Sequence, residues 1–184
     1  PRRAVRRHAR RHAPSPAVAT AVRHARAPLV ATLDGDGQND PADLPRLLEA
    51  WQAAPADQRP RLMVTGWRAA RRDDALRRLS SGLANGVRSR LLGDGVPDSG
   101  SGIKLLPRDL FLDLPRFDHM HRFLPALVIR AGGQVQTVRV NHRPRERGVS
   151  KYGLWDRLWV GIVDLVGVMW LMRRASNPKV EIVE

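Results

Sequence analysis

Three oxygen-bearing side chains alternate along a short segment that directly follows an apolar run. Asp34, Asp36 and Gln38 occupy every second position, and Gly35 and Gly37 separate them. Hard divalent cations such as Mg²⁺ bind carboxylate and amide oxygens and usually complete their coordination with water and substrate phosphates. Glycine lets the backbone turn tightly and approach a ligand closely. The segment therefore predicts either a divalent-metal site or, alternatively, an Asp/Gly turn that caps the following helix.

The elements that must position this turn are predicted by the spacing of the apolar residues. Strands are expected at 28–33, 61–65, 103–106 and 134–140. Helices are expected at 17–26, 41–51, 73–92, 107–114, 119–131 and 154–172. Strands that alternate with helices predict an α/β architecture with a mostly parallel sheet. In such folds ligands bind where strands end, and the two most polar loops, 34–40 and 142–152, both follow predicted strands.

Charge and cysteine content narrow the function classes. The 184 residues contain no Cys, which excludes a disulfide framework and thiolate metal sites. They contain 32 Lys and Arg against 18 Asp and Glu, and eight of the Arg lie in residues 1–26, which hold no acidic residue. A net charge of +14 allows a nucleic-acid-binding module as a second hypothesis. The chain has one Tyr and three Phe, so these residues offer few rings on which bases could stack, and no known nucleic-acid-binding motif is recognisable. We therefore expect no nucleic-acid partner.

Four segments, in order, resemble glycosyltransferase family 2, and within it the dolichol- or polyprenol-phosphate sugar transferases. They are TLDGDGQNDP at 32–41, DSGSGIKL at 98–105, FDHMHRFLP at 117–125 and NHRPRERGVSKYG at 141–153. The resemblance covers about residues 17–172 and implies a GT-A fold, a Rossmann-like, mostly parallel sheet flanked by helices. The family begins with an apolar strand and a P-x-[YF]-N-E turn. Nothing similar precedes residue 28, so we expect N-terminal strands to be missing and nucleotide-sugar binding by residues 1–184 to be poor.

The resemblance implies an inverting transfer of a sugar from a nucleotide-sugar donor to a polyprenyl phosphate. Asp34 would contact the nucleotide or the metal, and Asp36 and Gln38 would hold Mg²⁺ or Mn²⁺ on the donor diphosphate. The basic and hydroxyl side chains implied to bind donor and acceptor phosphates are Arg68, Arg78, Arg143, Arg145, Ser150 and Lys151. Arginine forks bind phosphate bidentately and lysine supplies a compact charge, which suits this role.

Three further residues are candidates for catalysis. Asp98 and Asp118 are the acidic residues expected to position the acceptor, with His121 behind them. A phosphate acceptor is already ionised near neutral pH and needs little deprotonation. Many relatives carry a Glu in the 117–121 region and this chain does not, so the identity of a general base stays open. Other open alternatives are a glycan or lipid acceptor and an inactive member of the same family.

The predicted C-terminal helix sets the domain boundaries that we expect. Residues 154–172 are apolar and contain Trp155, Trp159 and Trp170, while Asp164 interrupts them and disfavours a spanning helix. Tryptophan at both ends and flanking Arg suit a helix lying at a membrane interface, and the alternative is a helix packed on the catalytic domain. We expect a partial GT-A domain at 1–152, an amphipathic interface helix at 153–174 and a tail at 175–184. The expected location is peripheral, at the cytoplasmic face of the bacterial inner membrane.

Overall fold

The computed structural model describes residues 14–68, 85–141, 143 and 154–176. Four strands form one sheet: β1 (Leu29–Thr32), β2 (Leu62–Trp67), β3 (Lys104–Pro107) and β4 (Gln134–Arg139). The helices are α1 (Pro14–His24), α2 (Leu44–Ala53), α3 (Arg108–Asp113), α4 (Leu124–Arg130) and α5 (Leu154–Arg173). Residues 85–92 are also helical, and 3₁₀ turns occupy Pro41–Asp43, Arg59–Arg61 and Met120–Arg122. The expected α/β class is confirmed.

The sheet is mixed, which corrects the expectation of mostly parallel pairing. Its strand order is β1-β3-β2-β4, and only β2 and β4 pair in parallel. Strands β1, β2 and β4 run in one direction, whereas β3 lies between β1 and β2 and runs against both. The register places Lys104, the first residue of β3, opposite Thr32 and Thr65 near the ends of β1 and β2. The segment before β3 is therefore brought to the edge of the sheet where β1 and β2 end.

Two helices begin or divide at positions that the sequence predicted differently. Helix α1 begins at Pro14 instead of residue 17, because proline in a first helical turn forgoes an N–H that has no intrahelical acceptor there. The helix predicted at 119–131 is divided at Phe123, whose φ of −112° and ψ of 7° are not helical and separate the 3₁₀ turn at Met120–Arg122 from the regular helix, while His119 before that turn is left-handed with φ of 65°. The regular helix α4 begins only at Leu124, with Pro125 in its first turn. Of the helix predicted at 73–92, residues 73–84 lie outside the described residues.

The core has two parts, one on each face of the sheet. Met63 of β2 lies in a cluster with residues of α1, α3, α4 and α5, while its neighbours Leu62 and Val64 lie in a second cluster with Leu47 of α2. Successive strand side chains point to opposite faces, so one strand contributes to both clusters. Val168 of α5 is buried in the first cluster with 1% of its surface exposed. Helices therefore cover both faces and leave the ends of the strands for a site.

Candidate functional site

The acidic turn after β1 is held in shape by its own side chains. The Asp34 backbone N–H donates to Asn39 Oδ1 at 2.9 Å, and the Gln38 N–H donates to Asp36 Oδ1 at 3.1 Å. Gly37 has a positive φ of 80°, which an L side chain rarely adopts. The turn ends at Asp40, whose carboxylate accepts from the Ala42 N–H at 3.1 Å. The two alternatives offered by the sequence, a metal site and a helix-capping turn, are therefore compatible. Asp40 caps the helix, so Asp34, Asp36 and Gln38 are not needed for the cap and remain the candidate metal ligands.

The donor set of this turn fits a hard divalent cation that also binds a ligand. Within the described ranges no group of three or more His, Cys, Asp or Glu converges. Asp34, Asp36 and Gln38 offer two carboxylates and one amide, the kind of set with which Mg²⁺ is bound together with substrate phosphates. The Asp34 carboxylate lies directly over Gly102, where an added Cβ would overlap it and would come within 2.5 Å of Asn39 Oδ1. The absence of a side chain at position 102 therefore leaves the space that the Asp34 carboxylate occupies.

Arg68 and Asp98 form a buried pair next to this turn. The Asp98 oxygens accept from Arg68 Nε at 2.7 Å and from the second guanidinium nitrogen at 2.9 Å. The side chains are only 12% and 5% exposed. A carboxylate that is paired at both oxygens holds the guanidinium in a fixed orientation. The geometry therefore favours Asp98 as the residue that orients Arg68, whereas the sequence suggested that it positions the acceptor directly.

Lys104 is a buried amine close enough to the carboxylates of Asp34 and Asp98 to interact with both charges. It is 4% exposed, and its Nζ donates to the Ser101 backbone carbonyl. Burial lowers the pKa of Lys104 to about 8, although the charges of Asp34 and Asp98 oppose this shift. The Ser101 hydroxyl is buried and has no hydrogen-bond partner among the described residues. This lysine lay within a motif used for the family resemblance, but the sequence assigned it no role.

These groups form the polar end of a cavity of about 770 Å³. The polar lining includes Asp34, Ser101, Lys104 and His121. The apolar lining comes from α1, the 85–92 helix, the start of α4 and the inner face of α5, and includes Val18, Val87, Phe123, Leu124, Ile162 and Leu165. The cavity is thus amphipathic, with charge at the sheet edge and hydrocarbon beneath α5.

The two remaining catalytic candidates lie in different places. His121 lines the cavity, and its Nδ1 lies 2.8 Å from the Ser15 hydroxyl. Burial lowers the pKa of His121 to about 4, and the neighbouring positive charges of Arg122 and Lys104 act in the same direction. Asp118 is exposed and lines a separate cleft of about 330 Å³. The structure therefore brings His121, and not Asp118, to the cavity.

The chain that follows β4 is attached to the acidic turn. The Asn141 N–H donates to Asp43 Oδ2 at 2.7 Å, and the Arg143 guanidinium lies 2.8 Å from Asp40 Oδ2. The Arg143 N–H also donates to the Gln38 carbonyl at 3.1 Å. The sequence analysis considered the acidic turn only as a metal site or a helix-capping turn and did not predict these contacts with the chain after β4. Four predicted phosphate ligands lie outside the described residues, namely Arg78, Arg145, Ser150 and Lys151.

Helix α5 has one face against the domain and one apolar face in solvent. On the inner face, Asp164 Oδ2 lies 2.9 Å from His119 Nδ1, and Arg130 Nε donates to the Leu171 carbonyl at 2.8 Å. The outer face is a stripe of large apolar side chains with exposures of 69, 55, 61 and 60%, formed by Trp159, Val163, Val166 and Trp170. Among the described residues, no helix combines the length and apolarity needed to cross a bilayer.

The fold and the family follow from comparison with known proteins. The fold is of the GT-A type: it is similar to glucosyl-3-phosphoglycerate synthase from Mycobacterium tuberculosis crystallised with Mg²⁺ and UDP, with a TM-score of 0.60 and 16% identity over 92% of this chain and 57% of that one. The same enzyme with Mn²⁺, UDP-glucose and glycerol 3-phosphate gives a TM-score of 0.57 with the same identity and coverage. Residues 1–114 match the sequence profile of glycosyl transferase family 2. The chain belongs to glycosyl transferase family 2, as the four motifs implied.

Two curated relatives carry names that specify a lipid phosphate. Dodecaprenyl-phosphate galacturonate synthase from Rhizobium johnstonii is 36% identical over 157 residues, which are 84% of this chain and 45% of that protein. Undecaprenyl-phosphate 4-deoxy-4-formamido-L-arabinose transferase from Edwardsiella ictaluri is 33% identical over 138 residues, 75% of this chain and 41% of that protein. The chain thus spans about half the length of the curated relatives it matches.

Proposed function

We propose that the protein transfers a sugar, with inversion, from a nucleotide-sugar to a polyprenyl phosphate at a membrane surface. The observation that carries this proposal is the amphipathic cavity between the acidic turn and α5. A polyprenyl phosphate has a charged head and a hydrocarbon tail. Lys104 and Ser101 offer polar groups for the head, and the apolar lining beneath α5 accepts the first part of the tail. The lipid phosphates named for the two relatives agree with this choice of acceptor.

The proposed reaction needs positioning more than proton transfer. An oxygen of the acceptor phosphate forms a bond to the anomeric carbon of the sugar. The bond from that carbon to the donor diphosphate breaks, and its electron pair leaves with the nucleoside diphosphate. The second pKa of a phosphate monoester lies near 6, so the attacking oxygen is already ionised at neutral pH. The protein must therefore mainly position the acceptor phosphate and the donor diphosphate on opposite sides of the anomeric carbon. Arg68, whose orientation is fixed by Asp98, is suited to bind one of these phosphates.

The acidic turn is the proposed site of the donor diphosphate. Asp34, Asp36 and Gln38 would hold Mg²⁺ or Mn²⁺, which when bound neutralises charge on the leaving diphosphate. Arg143 lies next to this turn through Asp40 and would add a guanidinium to the same phosphates. The predicted partners Arg78, Arg145, Ser150 and Lys151 stay part of this proposal on the strength of the family motifs.

A transfer assay with the complete protein tests this function. Several nucleotide-sugars would be offered with undecaprenyl phosphate and Mn²⁺ or Mg²⁺, and the lipid product measured. Asp36→Ala should lower kcat at least a hundredfold, because it removes one carboxylate of the acidic turn. The exposed Asp57→Ala, in the loop before β2, is the matched control and should leave turnover unchanged. Transfer only to a soluble glycan, with none to the lipid phosphate, would contradict the acceptor assignment.

We also propose that residues 153–174 dock on the membrane surface, with the outer stripe of α5 facing the lipid. Tryptophan is favoured at the membrane–water interface, and Trp159 and Trp170 stand near the two ends of the stripe. Arg173 and Arg174, both exposed at the C-terminal end, suit anionic headgroups. The inner face packs on the domain beside the cavity, so docking would bring the cavity close to the acceptor. Residues 1–152 would then form the catalytic domain, and the location would be peripheral, at the cytoplasmic face.

Vesicle sedimentation tests the docking. Replacing both Trp159 and Trp170 by Ser should weaken binding to vesicles of phosphatidylethanolamine and phosphatidylglycerol at least tenfold, equivalent to about 1.4 kcal/mol. Leu48→Ser is the matched control, because Leu48 is an exposed apolar residue of α2 on the other face of the sheet. Unchanged vesicle binding by the double variant would overturn the proposal. Loss of a dimer in the double variant, with no vesicle binding by either protein, would assign the stripe to a second copy of the chain instead.

A further inference from the structure

The side chain of His121 contacts a buried serine, Ser15, which belongs to no sequence motif. Ser15 lies in the first turn of α1 and is 2% exposed. Its hydroxyl oxygen lies 2.8 Å from His121 Nδ1 and accepts from the His121 backbone N–H at 3.3 Å. The two residues are 106 positions apart, so the contact is made by the tertiary fold. Helix α1 thereby contacts the imidazole ring of His121.

The hydrogen-bond pattern favours one position for the proton of the imidazole. The Ser15 oxygen already accepts one hydrogen bond, from the His121 backbone N–H. Among the described residues its own proton has one acceptor within reach, His121 Nδ1. A neutral imidazole has one N–H and one lone pair, so a donation from Ser15 to Nδ1 places the ring proton on Nε2. Burial lowers the pKa of His121 to about 4, which keeps the ring neutral at physiological pH.

We propose that Ser15 is a positioning residue that fixes His121 as the Nε2–H tautomer, so that His121 presents a hydrogen-bond donor to a phosphate oxygen bound in the cavity. The choice of phosphate rests on the proposed function. His121 lines the same cavity as Lys104 and Ser101, and all three would then offer donors to an anion. In this arrangement His121 keeps its proton throughout and is a binding group. It is not the general base that the sequence left open.

The tautomer can be measured without any activity. Long-range ¹H–¹⁵N spectra of the complete protein, labelled with ¹⁵N-histidine, distinguish a protonated from an unprotonated ring nitrogen, and His121→Gln identifies the His121 signals by their loss. The expected result is a protonated Nε2 and an unprotonated Nδ1 in the wild type. Ser15→Ala should convert this to a mixture of tautomers, and Ser15→Thr, which retains the hydroxyl, should preserve it. A protonated Nδ1 in the wild type, or an unchanged tautomer in Ser15→Ala with its fold intact, would overturn the inference.

A ligand titration tests the donor role separately. Decyl phosphate, which has a phosphate head and a short alkyl tail, should shift the Nε2–H signal, and decanol should not. His121→Gln can place an amide N–H near the position of Nε2, whereas His121→Leu cannot. We expect His121→Leu to weaken decyl phosphate binding about tenfold, and His121→Gln to restore most of it. A failure of lipid-phosphate transfer with intact decyl phosphate binding would reject the proposed function alone. Equal binding by wild type and His121→Leu would reject the donor role alone.

Discussion

At the scale of single residues, the site depends on close approach between two segments that lie far apart in the chain. The acidic turn follows β1, and Gly102 precedes β3. The Asp34 carboxylate occupies the space that a side chain at 102 would need. The acidic turn and the glycine of the second motif are therefore one unit, although the sequence presents them as separate motifs.

Gly102→Ala tests this dependence. The added methyl group should displace the Asp34 carboxylate, because it overlaps that carboxylate and Asn39 Oδ1 together. We expect Mn²⁺ affinity, measured by electron paramagnetic resonance in the presence of nucleoside diphosphate, to fall about tenfold or more. Gly100→Ala is the control, because the nearest atom to an added Cβ there is an Arg68 guanidinium nitrogen at 3.7 Å. Equal Mn²⁺ affinity in the two variants would contradict the assignment of Asp34 to the donor site.

At the scale of elements, α5 combines two surfaces that the sequence treated as alternatives. Its spacing of apolar residues suited either a membrane-interface helix or a helix packed on the domain. The structure places Val168 and Leu165 against the core and leaves Trp159, Val163, Val166 and Trp170 exposed. Asp164, which argued against a spanning helix, pairs with His119 on the inner face. One helix can therefore pack on the domain and still offer an apolar surface.

Asp164→Ala should loosen α5 without changing its outer stripe. Loss of the contact to His119 removes a hydrogen bond to a charged group, for which we expect roughly 1.5–3 kcal/mol of lost stability. Hydrogen exchange should accelerate across residues 159–173, and urea denaturation gives the change in the free energy of unfolding. Asp113→Ala, at an exposed position of α3, should change stability by less than about 0.5 kcal/mol. If both variants exchange alike, the His119 contact does not hold the helix.

Element positions were largely predictable, and strand direction was not. Local apolar runs predicted all four strands to within a few residues, because each strand is a short buried segment bounded by turn residues. The reversed direction of β3 depends on how the loop before it returns to the sheet edge, which no local pattern encodes. The interruption at Phe123 and the left-handed His119 before it were also missed, since neither residue carries a signal of the kind that glycine gives.

The candidate site could be predicted only as far as its residues belonged to motifs. Asp34, Asp36 and Asp98 were found because they stand in segments that resemble the family, and Arg68 because it matches a basic position of the family, but the pairing of Arg68 with Asp98 was not predicted. Ser15 was missed entirely, because a serine in an Ala- and Pro-rich stretch gives no indication of a partner 106 positions away. Contacts made by tertiary packing therefore account for most of what the sequence did not reveal.

At the scale of the whole molecule, a highly basic chain buries one of its three lysines. The net charge is +14, yet Lys104 lies in the interior beside Asp34 and Asp98 with Arg68 and Arg88 nearby. Desolvation of an ammonium group disfavours its charged form. The site is thus assembled at a cost to stability that the remainder of the fold must offset.

That cost predicts how stability depends on pH. Burial lowers the pKa of Lys104 to about 8 from an ordinary value of 10.5, so between these values the unfolded chain binds more protons than the folded one. The free energy of unfolding should therefore rise from pH 8 to pH 10.5, by about 3 kcal/mol from this group. Urea denaturation of wild type and Lys104→Met across this range measures it, and the rise should be absent from the variant. Parallel curves for the two proteins would show that Lys104 titrates normally.

The strand order also constrains when the protein can fold during its synthesis. Strand β1 pairs with β3, as in Leu29 with Pro107, and β2 pairs in parallel with β4, as in Leu62 with Gln134. Neither of these pairings can form until the ribosome has released residues far downstream, and pairings of such long sequence separation form slowly. The β1–β3 pairing therefore cannot form until β3 emerges, and β2 lacks its parallel partner β4 until Arg139 is clear of the exit tunnel. Unpaired strands favour aggregation, so the interval before these pairings form is one in which chaperones would protect the chain.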